Sequence, residues 1–107
     1  MSASFIIAHW VGLGHKWGMA NQILTGLDVL VVEDESLLRK QVAAHLGALG
    51  ADVTGVDTLA AARRALADFA FDFALLDLNL PDGRGTVLFQ EKAFPPDTAV
   101  IVMTAEG

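Results

Sequence analysis

The chain has 107 residues, no cysteine and a formal charge of −6 at pH 7, with a pI near 4.7. That length suffices for one domain around one core. The missing cysteines exclude a disulfide framework and a thiolate metal centre, and the acidic balance argues against nucleic-acid binding through a basic surface. Mean hydropathy is +0.47, high for a small domain, so some apolar surface is expected to stay uncovered. No segment reaches the roughly 18 apolar residues of a membrane span; the best candidate, residues 5–13, is interrupted by His9. Met1-Ser2-Ala3-Ser4 offers no basic start for a secretory signal, so a cytoplasmic location is expected.

Residues 1–26 carry both Trp and two of the three His without helical or strand periodicity, and are read as an extension preceding a domain over 27–107. Within them, Gly12, Gly14 and Gly18 resemble a dinucleotide loop only superficially, because the third glycine falls one place late. His9 and His15 have no acids nearby and read as ordinary histidines. From Asp28 onward strands and helices alternate. Asp28 to Val32 is a β-branched apolar run of buried parallel-strand type. A helix opens at Glu35 or Ser36 and keeps Leu38, Val42, Leu46 and Leu49 on one face, with Gly47 and Gly50 helping to end it. Residues 51–56 make a short strand. Thr58 is the expected N-cap of a helix over 59–69, with Leu59, Ala62, Leu66 and Phe69 on one side. Residues 73–76 form a third strand ending on Asp77, and 78–83 a turn-rich loop. A third helix is expected over 84–94, stopped by Pro95-Pro96. Residues 98–103 form the fourth strand, ending at Thr104-Ala105.

Alternation of this kind means βαβ units and a parallel sheet, whose ligands bind beyond the carboxyl ends of the strands. Glu33, Asp34, Asp77 and Thr104 all fall there. A lone acid at a strand end is ordinarily a turn former or a cap, and that suffices for Asp82 before Gly83. It does not explain three acids at one rim. Two carboxylates about 4 Å apart repel by roughly 4 kcal/mol at an effective dielectric near 20. A hard divalent cation relieves this, and Mg²⁺ suits oxygen ligands. Glu33, Asp34, Asp77 and the main-chain carbonyl of Asn79 are the expected ligands. Asp77 is the expected nucleophile toward a phosphoryl group, forming an acyl phosphate. The Thr104 hydroxyl can donate to a phosphoryl oxygen, with the small Ala105 leaving room.

Residues 28–107 resemble the receiver domain of two-component response regulators. The motifs are Val31-Val32-Glu33-Asp34-Glu35, Leu75-Leu76-Asp77-Leu78-Asn79-Leu80-Pro81-Asp82-Gly83 and Met103-Thr104-Ala105. The resemblance implies a flavodoxin-like, CheY-like doubly wound α/β fold with strand order 2-1-3-4. It also implies a phosphoacceptor, not an enzyme: Asp77 receives phosphate from a phosphohistidine of a sensor histidine kinase. Glu33 and Asp34 are then the acidic pair at Mg²⁺, and Thr104 the switch hydroxyl. Met103-Thr104-Ala105-Glu106-Gly107 further resembles receivers of NtrC-type transcription activators. The family continues through a helix, a Lys-bearing strand and another helix. The lysines here are Lys16, Lys40 and Lys92, so the domain is expected to be truncated at Gly107. Uncovered apolar residues are then expected at positions such as Val29, Val31, Leu75 and Ile101, with self-association along the fourth strand. Two other readings use the same residues. One is a degenerate receiver that binds partners without phosphorylation; the other is a haloacid-dehalogenase-type phosphohydrolase, from Asp77-Leu78-Asn79.

Overall fold

The structure, a computed structural model, describes residues 23–103. In chain order these form β1 (Asp28–Val32), α1 (Ser36–Ala48), β2 (Asp52–Val56), α2 (Leu59–Asp68), β3 (Phe73–Asp77), β4 (Asn79–Leu80), β5 (Gly83–Arg84), α3 (Val87–Gln90) and β6 (Ala99–Met103). The four long strands make a parallel sheet in the order β2-β1-β3-β6, the expected topology. β4 and β5 pair antiparallel as a separate small hairpin. Val32, Val56, Leu76 and Val102 sit at one level of the parallel register. Whatever follows these residues therefore emerges at one rim of the sheet.

Strand side chains alternate between the two faces, and the core divides accordingly. One face buries Leu30, Val32, Ala74 and Leu76 against Leu59, Ala62 and Ala65 of α2, together with Phe71, Leu80 and Leu88. The other buries Val29, Val31, Leu75 and Met103 against Val42 and Leu46 of α1, with Leu24 packed at its border. Each fully buried aliphatic side chain contributes about 1.5–3 kcal/mol. α1 ends where the chain turns at Gly50, whose φ of +101° puts it in the left-handed region.

The structure corrects three expectations. Val29, Val31 and Leu75 are not uncovered: they are 3%, 0% and 3% exposed, because α1 and Leu24 close over them. Of the sheet's own large apolar side chains, the uncovered ones are on β6, where Ile101 and Val102 are 46% and 42% exposed. The third helix does not span 84–94. Gly83 and Arg84 are taken up in the hairpin with β4, and only Val87–Gln90 is helical, ending before Lys92 at φ +56°. Phe69 does not face the core; it is the extended C-cap of α2 and is 64% exposed. Among the described residues no helix is long and apolar enough to cross a membrane.

Candidate functional site

Glu33 follows β1 directly, and its N–H donates to the Val56 carbonyl at 3.0 Å, so sheet pairing continues one residue beyond the strand. This continuation pulls the Glu33 side chain inward, where it is only 5% exposed. Its Oε2 accepts the N–H of Glu35 at 3.0 Å. Asp77 ends β3, half-buried, and its Oδ1 accepts the N–H of Asn79 at 3.0 Å. That is a side chain forming a turn with its own backbone two residues on, and it fixes how the carboxylate is presented. Asp34 is exposed.

These three acids converge: one carboxylate oxygen from each lies within 4.8 Å of the others. At that separation each pair of charges repels by about 3 kcal/mol at an effective dielectric near 20. Glu33 bears the consequence. Burial pushes its carboxyl up to about 7, the Glu35 N–H holds part of the rise back, and the charges of Asp77 and Asp34 add to it. Among the described residues none of these three acids is in an ion pair. Thr104 lies outside the described residues, as do His9, His15 and the glycines at 12, 14 and 18.

Three further residues shape the site and escaped sequence reasoning. Gly85 is buried, and its N–H donates to the Leu78 carbonyl at 2.8 Å. A Cβ there would stand 2.5 Å from the Asp77 carbonyl oxygen, so the chain after β5 crosses the end of β3 with room for glycine alone. Asp82 is more than a turn residue. Its two oxygens accept the N–H groups of Leu59 at 2.8 Å and Ala60 at 3.1 Å, and these bonds hold its carboxyl below the usual range. It joins the Thr58 hydroxyl, which accepts the Ala61 N–H, in capping α2. Arg39 donates from Nη1 to the Glu33 carbonyl at 2.9 Å. The signal for Asp82 and Gly85 was present as Pro81-Asp82-Gly83-Arg84-Gly85, but nothing local reveals that their partners are the start of α2 and the end of β3.

A parallel α/β sheet with carboxylates gathered at the strand ends defines an α/β module with an acidic cluster at one rim. A family model described as "Response regulator receiver domain" matches residues 29–107, and the chain belongs to that family. It is 35% identical over 86 residues to the two-component response regulator PhoP of Pseudomonas aeruginosa, covering 76% of this chain and 36% of that protein. The receiver domain structure, CheY-like, from Methylobacillus flagellatus superposes with a TM-score of 0.68 at 26% identity, over 75% of this chain and 70% of that one. The MaeR response regulator bound to beryllium trifluoride gives 0.59 at 27% identity, over 76% and 69%. The chain spans about a third of the length of PhoP, the curated relative it matches. Receiver domains are signalling modules and not enzymes, and the phosphohydrolase reading falls with that membership.

Proposed function

We propose that the domain is a phosphoacceptor: Asp77 takes a phosphoryl group from the phosphohistidine of a sensor histidine kinase. An Asp77 oxygen attacks phosphorus as the P–N bond breaks, and the departing imidazole keeps the electron pair and takes up a proton. The convergence of Glu33, Asp34 and Asp77 within 4.8 Å carries this reading. The donor set fits Mg²⁺: all hard oxygens, clustered, with one carboxyl pushed up to about 7 by burial and, to a lesser degree, by the neighbouring acids. Glu33, Asp34, Asp77 and the Asn79 carbonyl would hold the ion, which supplies neutralisation of charge on the transferring group. The Asn79 N–H bond to Oδ1 orients the nucleophile. The Asn79 carbonyl would come from the first residue of the hairpin, two places past Asp77. Thr104 is assigned the switch hydroxyl, and Met103 to Gly107 carries the NtrC-type assignment. The domain is placed in the cytoplasm, with no direct nucleic-acid binding.

Acetyl phosphate with Mg²⁺ tests the reading. Mass spectrometry is expected to find one phosphoryl group on the wild type and none on Asp77→Asn, and beryllofluoride is expected to perturb only the wild type. Unchanged labelling of the variant would overturn Asp77 as acceptor. Copies of the chain are also proposed to associate along β6, since Ile101 and Val102 are exposed on a strand lacking any charge to discourage pairing. A melting temperature independent of protein concentration would contradict that association.

A further inference from the structure

Arg39 stands on α1 beside three carboxylates, where opposite charges ordinarily pair, yet its guanidinium pairs with none of them. Among the described residues the ion pair formed is Arg63–Glu91, on the surface. Arg39 Nη1 turns instead to main-chain oxygens, donating to Glu33 at 2.9 Å and approaching Asp34 at 3.5 Å. Its backbone N–H makes the ordinary first-turn bond of α1 to the Glu35 carbonyl at 2.9 Å, so the side chain itself holds the acidic loop at Glu33 and Asp34. The aliphatic stem is aimed by β2: a Cβ on Gly55 would lie 3.3 Å from both Cγ and Cδ of Arg39. The bare backbone of that strand is the floor on which the stem rests.

We propose that Arg39 is a positioning residue for the acidic pocket. Holding the Glu33 and Asp34 carbonyls fixes the peptide planes on either side of Asp34 and hence the directions of both side chains. It also brings a positive charge close to the cluster without consuming a carboxylate lone pair. A guanidinium bound to the carboxylates would compete with a cation; one bound to the carbonyls behind them does not. Both contacts come from one nitrogen, Nη1, carried to the carbonyls by a long stem laid along β2, and the guanidinium stays charged at every working pH. This inference rests on the cation-binding reading above.

The test uses the full chain as wild type, Arg39→Met and Arg39→Lys. Mg²⁺ is titrated while backbone amide and carbonyl chemical shifts of Glu33, Asp34 and Asp77 are followed, and each protein is melted in parallel. Arg39→Met is expected to weaken Mg²⁺ binding by the folded protein roughly 10-fold, to move the Glu33 and Asp34 carbonyl shifts already in metal-free protein, and to be rescued at least in part by Arg39→Lys. A lower melting temperature with unchanged Mg²⁺ affinity would make Arg39 merely structural and overturns the proposal. If the wild type ignores Mg²⁺, the cation reading is what fails. The metal-free carbonyl shifts of Arg39→Met then decide the clamp alone: movement supports it and constancy overturns it. Should Arg39→Met not fold, Gly55→Ala displaces the stem on an intact scaffold, and a smaller loss of affinity is expected; no loss overturns the clamp.

Discussion

After β1 the chain passes through Glu33, Asp34 and Glu35 straight into α1, whereas after β3 it runs from Leu78 to Thr86 and folds the β4–β5 hairpin on the way. Both loops present acids at the same rim. The short one has a single internal bond, from the Glu35 N–H to the Glu33 side chain, and is otherwise held from outside, by the Arg39 side chain and by the Val56 carbonyl. The long one is held by its own backbone, through the hairpin and the crossing at Gly85, and by the Asp82 tether to α2. Side-chain changes should therefore reach the first loop, and backbone changes the second.

The largest stability effect expected from this contrast is at Gly85. Gly85→Ala drives a methyl against the Asp77 carbonyl and should cost about 2–3 kcal/mol in denaturant unfolding. Equal stability would mean that the long loop moves freely and that its backbone does not brace Asp77. Glu33 comes next, with a sign set by its raised carboxyl. The folded protein holds this proton up to about 7, while the unfolded chain releases it near 4.5. Stability contributed by protonated Glu33 is thus complete below 4.5 and is lost as pH rises toward 7, by about 2 kcal/mol after allowance for screening at the open rim. Glu33→Gln should remove that slope, making the variant the more stable form at pH 8 without Mg²⁺, and a pH series of unfolding curves reads it directly. An unchanged slope would locate the burden outside the short loop. Asp82→Ala should have the smallest effect, a modest drop in melting temperature from the lost cap. Asp82 titrates below the usual carboxylate range, so its contribution is present at neutral pH and fades as acid protonates it. A drop that persists in strong acid would show that the tether is not ionic.

Much of this was legible in the chain itself. β1, β3 and β6 announce themselves as apolar runs, α1 and α2 as periodic faces with Thr58 as cap, and the convergence of Glu33, Asp34 and Asp77 follows from their places at strand ends. Residues 84–94 misled because their apolar spacing is helical, yet pairing of Gly83 and Arg84 with Leu80 and Asn79 outweighs local preference. Phe69 fits the helical face by count but follows the last turn, where the backbone has already become extended. Arg39, Asp82 and Gly85 were silent for a different reason: each acts on main-chain atoms, which every residue possesses and which no pattern of side chains marks.

The register of β1 has a consequence for biosynthesis. Val29 pairs with Val53 on one side and with Phe73 on the other, so its second neighbour is made long after its first. At about 5–20 residues per second, the ribosome needs several seconds after releasing Glu33 and Asp34 before Asp77 exists to join them. During that interval the two acids can stay hydrated, and Glu33 is forced out of water only once the central strand arrives.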